Sequence, residues 1–301
     1  MNKIISLFEN RNIFNTKIGI ARTILATGAL LIIIFNNLNE ITNYNLLFDN
    51  NEYAVNTFFK DFSLFEIFGL HLGKLFSICI LLFVISGYLP QISCFLHAWV
   101  QLSICNSFLI VEGGDQIASN LSILLIPICL FDNRINHWDN PKNSNSQQRK
   151  LINVFINTFY YLIYIQVAII YLHASIGKFY NSEWRDGTCL YYWFTNNVFG
   201  APFWLQKIYN IITLSTFAPI ITWSIMIFEL CLFGCLFSSN QKFRKTFLIL
   251  GLLFHGLILI THGLVTFYFS MAAALILYLD DTNLIYYFLK NLKYKIYGVK
   301  I

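Results

Sequence analysis

Runs of about twenty apolar residues recur along this chain, and they constrain what it can fold into more than any other feature. A helix needs roughly 20 apolar residues to cross the hydrocarbon core of a bilayer. Such runs occupy residues 18–35, 71–89, 92–111, 151–174 and 211–237, with a shorter one at 117–131 and a much longer one at 247–279. Charged residues make up only 12% of the 301 positions, about half the share in an ordinary soluble domain. Too few charges remain to build a water-facing globular surface. The expected fold is all-α: one polytopic integral membrane helical bundle spanning residues 1–301.

The last run is too long for one ordinary span. Thr261–Gly263 offers a turn, so the expectation is about eight spans, with a broken or re-entrant pair near the C-terminus as the alternative. The sixth span is long enough to tilt, or to kink at Pro219. Residues 36–69 read as an extracytoplasmic loop in which FFKDFSLFEIFG forms an interfacial helix. DNRINHWDNPKNSNSQQRK, residues 132–150, reads as an irregular cytoplasmic linker, and 178–210 as an extracytoplasmic loop that is a candidate for function. The first apolar run lacks a small-residue cleavage site and reads as a retained anchor.

Basic residues test this arrangement. With the N-terminus in the cytoplasm, Lys3, Arg11 and Lys17, the 134–150 linker, Lys242–Lys245 and the lysines from 290 to 300 all fall on one side. That is the bias expected of cytoplasmic segments. It predicts a multi-pass protein of a bacterial cytoplasmic membrane with both termini inside. The net charge of +5 is scattered over loop ends and forms no patch for nucleic acid. No glycine-rich phosphate loop, HExxH or CxxC occurs, and no metal site is expected.

Polar residues in apolar surroundings are the remaining signal. Lys178 follows LHASIG at the end of the fifth span. Snorkelling to the interface is the plain account; a partly desolvated base is the functional one. His173 lies five residues earlier. Glu183, Trp184, Arg185 and Asp186 follow Lys178, as a solvated loop with an aromatic anchor or as a polar substrate contact. His255 and His262 are seven apart in the late hydrophobic run, where an ionisable group marks a functional hypothesis. Glu229, deep in the sixth span, needs a partner such as Arg22, Lys178, a histidine or a backbone donor. Asp115, after Gly113 and Gly114, is expected to cap the fourth span.

ARTILATG, EGGDQIASNLSILLIP, NHW at 136–138, ASIGKFYNSEWRDGTCLYYWF and the FH…HGLVTFYFSM stretch follow one another in an order that resembles the horizontally transferred transmembrane domain, the membrane domain related to vitamin K-dependent gamma-carboxylase. More closely, the chain resembles the sporulation-delaying protein B family. That resemblance implies a role in maturing, producing or exporting a secreted antimicrobial peptide toxin, with the peptide precursor and a small companion protein as partners besides the bilayer. From the carboxylase relatives it implies Lys178 as a base toward a reduced quinone, with His255 or His262 stabilising charge. The large lumenal region that recognises substrate in the animal carboxylase has no counterpart here. Alternatives are a quinone-dependent oxidoreductase or carboxylase with another substrate, and a noncatalytic membrane scaffold.

Overall fold

The structure is a computed structural model that describes residues 13, 16–42, 61–109, 111–139, 147–197 and 199–281. Among these the chain is helical: α1 Thr16–Phe35, α2 Leu38–Ile41, α3 Leu64–Ser86, α4 Pro90–Ser107, α5 Gly113–Leu130, α6 Gln147–Phe179, α7 Ser182–Arg185, α8 Cys189–Thr195, α9 Phe203–Thr213, α10 Ala218–Gly234 with a 3-10 turn to Phe237, α11 Gln241–His262 and α12 Val265–Leu279. The basic residues at 3, 11 and 290–300 lie outside the described residues.

Among the described residues six helices are long and apolar enough to cross a membrane: α1, α3, α5, α6, α10 with its 3-10 turn, and α11. The protein is a polytopic helical membrane protein, with two fewer qualifying helices than the eight spans expected. Both shortfalls have a physical reason. α4 carries Gln91, Ser93, His97, Gln101 and Ser103 among its 18 residues, which lowers its hydropathy. α12 has 15 residues, about 22 Å of helix, short of a hydrocarbon core of about 30 Å. The expected turn between the last two is present: Gly263 ends α11 in the left-handed conformation (φ 70°) and its N–H bonds the Leu259 carbonyl, the usual glycine stop.

The helices form two units. The first comprises the described residues up to Ile163 together with Val265–Leu277; the second comprises Tyr164–Leu264 and Tyr278–Asp281. α6 and α12 contribute residues to both.

In the first unit, α1 packs small residues against its neighbours. A Cβ on Gly28 would come within 2.7 Å of Phe269, the close approach that small residues allow between membrane helices. Ala26, Ala29 and Ile33 join Leu81, Val84, Val100 and Ile104 in a dry core. The expected interfacial helix begins outside the described residues. Its described part, Leu64–Phe68, is a single helical turn that breaks at Gly69 (φ 71°). Leu64 and Phe65 are buried, and Ser63 and Leu64 bond Ser107 and Ser103 of α4. The turn is anchored to α4 at Ser63–Phe65, while Ile67 and Phe68 remain exposed.

The expected linker also divides. Residues 140–146 lie outside the described residues and Gln147–Lys150 are already helical. Residues 131–139 form a folded plug. Leu89 N–H bonds the Ile135 carbonyl and His137 N–H the Gly87 carbonyl. Arg134 holds Asp132 by both carboxylate oxygens and the carbonyls of His137 and Asp139. As expected, residues 131–139 form no helix or strand beyond a single bridge between Tyr88 and Asn136, yet they are ordered, because side chains meet much of the segment's hydrogen-bonding need.

In the second unit α9 is a separate helix and α10 starts only at Ala218, later than the expected 211. Pro219 sits in the first turn of α10, where a missing N–H costs nothing, so it starts the helix and does not kink it. Arg244 on α11 draws the far end together, bonding the Cys235 and Tyr278 carbonyls and pairing with Asp281 at 2.5 Å.

Candidate functional site

Side chains on a helix tilt toward its N-terminus. Lys178, in the last turn of α6, therefore folds back along its own helix. Its Nζ donates to the Ala174 carbonyl at 3.1 Å and to both oxygens of Glu229 at 2.7 Å. Three ammonium hydrogens thus meet three protein oxygens. The Trp184 ring lies 5.0 Å from Nζ, within the range of a cation–π contact. Lys178 keeps 20% of its side chain exposed and Glu229 only 8%. The pair is partly closed and lies back from the helix end.

The stretch behind Lys178 is clamped to α10. Ser175 Oγ donates to the Met226 carbonyl, Trp223 Nε1 to the Arg185 carbonyl and Thr222 Oγ1 to the Gly187 carbonyl. Gly187 adopts φ 77°, and a Cβ there would sit 2.4 Å from Pro219 Cα. Only glycine lets the loop lie this close to α10 in that conformation. Asn181 caps α7 by accepting from Glu183 N–H.

The other expected residues divide. Glu229 and Trp184 join Lys178. Arg185 and Asp186 are exposed and Glu183 is half-buried; Arg185 and Glu183 act through their backbones, the Glu183 carbonyl accepting from Thr188 N–H. His173 is exposed. His255 is buried on α11, with Nε2 3.0 Å from the Tyr171 hydroxyl of α6. The Lys178 ammonium lies close enough to act on that ring electrostatically. His262 is elsewhere: it bonds the Phe199 carbonyl and stacks on Phe194. The two histidines share a helix face but stand two turns apart, about 10 Å. Asp115 belongs to the first unit, where its Oδ2 accepts from Glu112 N–H at 3.1 Å. It closes the start of α5 from the third helical position, not from the N-cap. Burial raises the neighbouring Glu112 carboxyl above the usual range.

Beyond Gly187 an open cleft of about 350 Å³ is bordered by Thr188, Tyr191, Tyr192, Thr213, Leu214 and Pro219. Cys189 is buried, and that burial pushes its thiol up to about 12, which leaves it unreactive. Among the described residues no three of His, Cys, Asp and Glu gather in a way that could hold a metal ion.

Sequence reasoning missed one buried polar set. Ser93, His97 and Gln101 recur every fourth residue on α4 and are all buried. Ser93 Oγ accepts from Arg22, and Arg22 also contacts His137 Nδ1 at 3.3 Å. The fourfold spacing was a visible signal; the mixture with apolar residues masked it.

No family model and no solved structure matches the chain. Two curated proteins of Bacillus subtilis (strain 168) do. The sporulation-delaying protein SdpB is 35% identical over 289 residues, covering 94% of this chain and 87% of SdpB. The uncharacterized protein YitO is 30% identical over 299 residues, covering 94% of this chain and 91% of YitO. At that identity and coverage, the chain belongs to the family of the sporulation-delaying protein SdpB.

Proposed function

We propose that this protein acts in the maturation, production or export of a secreted antimicrobial peptide, as a multi-pass protein of a bacterial cytoplasmic membrane with both termini inside. The observation that carries this reading is the likeness to SdpB along 94% of the chain. In this reading the peptide precursor and a small companion protein are the partners, and the loop from Lys178 to Gly187 faces the outside.

The Lys178–Glu229 pair is the working site of the proposal. Its ammonium and carboxylate can exchange a proton across 2.7 Å. A polar peptide group entering beside the exposed fifth of Lys178 would compete with Glu229 for the ammonium hydrogens. Trp184 flanks that approach. None of Lys178, Glu229, His255 and His262 borders the open cleft beside Gly187, so this reading rests on the Lys178–Glu229 pair and not on the cleft.

The test is mass spectrometry of the cognate secreted peptide from cells with matched membrane protein levels. Cells carry wild type, Lys178→Ala, or Lys178→Met with Glu229→Leu. Breaking half of a buried pair destabilises, whereas replacing both partners by apolar residues of similar size is close to neutral. The double variant is therefore expected to be folded but inactive, with loss of the mature peptide mass or of its correct termini. Fully mature peptide from the double variant would overturn the Lys178–Glu229 site and leave a scaffolding role.

A further inference from the structure

α9 has three sides. Successive residues turn by about 100° around a helix. Leu205, Tyr209 and Ile212 fall on one arc and are half-buried; Tyr209 stacks on Phe194 of α8 at 3.9 Å. Gln206, Lys207 and Asn210 fall on a second arc and are exposed; Phe203, 85% exposed, shares that arc at the first residue of the helix. Trp204, Ile208 and Ile211 occupy a third, within about 60° of one another. They are 67%, 54% and 75% exposed. No residue of α9 is buried. Past Phe203, one side packs on the protein, one is polar, and one is apolar and bare.

The bare side runs on into an exposed apolar surface. Leu214–Phe217 alone separate α9 from α10, and Leu214 and Phe217 are exposed too. α10 with its 3-10 turn is long and apolar enough to cross the membrane and presents Ile220, Trp223, Ile227 and Leu230 outward, a stripe at helical spacing suited to lipid. α9 therefore leaves the end of a membrane helix at the boundary where an amphipathic helix with Trp on its apolar side and Lys on its polar side is stable. Tyr191, Tyr192 and Trp193 of α8 are also exposed, as interfacial aromatic residues are.

We infer that α9 lies in the plane of the membrane surface, with Trp204, Ile208 and Ile211 among the acyl chains and Gln206, Lys207 and Asn210 toward water. The cleft bordered by Thr213 and Leu214 then opens at the headgroup level. An apolar ligand reaches it along the membrane, without passing through bulk water. The placement of α9 is independent of Lys178 and of the peptide reading.

The test uses the full chain in lipid nanodiscs, with a fluorescent amino acid placed at Ile211 or at Asn210. Each sample is titrated with aqueous iodide and, separately, prepared with lipids carrying a nitroxide near the carbonyl end of the acyl chain. The label at Ile211 is expected to be quenched by the lipid nitroxide at least about threefold more than the label at Asn210, with the opposite order for iodide. Equal iodide quenching at both positions would overturn the inference. So would protection of Ile211 from both quenchers, which would mean that protein, such as a second copy, covers this face. Labels at exposed positions leave the packed side intact, so either result is read from folded protein.

Discussion

Two ion pairs, one in each unit, show how differently a membrane protein can hold charge. In the first unit Arg134 and Asp132 are each 3% exposed, and Arg134 spends donors on both carboxylate oxygens and two carbonyls. The two residues lie two positions apart in one loop, so the pair forms within the segment it stabilises. In the second unit Lys178 and Glu229 are 51 residues apart on different helices, and Lys178 keeps a fifth of its side chain exposed. A closed, bidentate pair suits architecture. An open pair, with a flexible amine over a deep carboxylate, is available to a second molecule.

The largest expected effect tests the closed pair. Asp132→Asn leaves Arg134 buried without a counter-charge, and is expected to remove about 3–5 kcal/mol of stability. Glu229→Gln should lower stability by only about 1–2 kcal/mol, because the exposed part of Lys178 can be screened by water. Thermal unfolding in detergent measures both. Equal losses would erase the distinction between the two pairs.

The next effect belongs to the same plug. His137 is buried, and that burial, with Arg22 and Arg134 adding to it, pushes its imidazole down to about 3 from 6.5. A base with a depressed folded pKa binds its proton more readily when unfolded. Its contribution is whole above pH 6.5 and is lost as pH falls from 6.5 toward 3, by about 3 kcal/mol at pH 4. Melting temperature against pH is expected to slope downward in that window, and His137→Gln to flatten the slope. An unchanged slope would mean that other groups control acid sensitivity.

The smallest effect sharpens the description of the open pair. Trp184→Leu removes the ring beside Lys178 and is expected to cost about 0.5–1 kcal/mol. Near-wild-type melting together with reduced peptide output would assign Trp184 to the approach of the substrate rather than to the fold.

The helical class was legible in the apolar runs, and so were the turn at Gly263 and the need of Glu229 for a partner. Lys178 was one of several partners open to Glu229, and choosing among them required the packing of α6 on α10. The plug at 131–139 was hidden because its order comes from side-chain bonds of Arg134, Asn136 and Gln91, which leave no periodic trace. The polar row Ser93, His97 and Gln101 was readable by spacing, yet it is also what makes α4 fall below the hydropathy of an ordinary span. His255 and His262 share a face by arithmetic; only the structure shows that one meets Tyr171 and the other a loop carbonyl.

At the start of α5, a Cβ on Gly114 would lie 2.4 Å from Phe267 backbone atoms, and Glu112 Oε2 accepts from Thr266 Oγ1. The bonded residues are 154 positions apart. On a translating ribosome adding about 5–20 residues per second, Glu112 is made ~8–30 s before Thr266. For that interval the nascent first unit holds a carboxylate and a glycine notch with no helix to receive them. Its assembly waits for residues 164–264 of the second unit to be synthesised, so a ribosome stall or truncation anywhere between residues 114 and 266 strands an unfinished bundle.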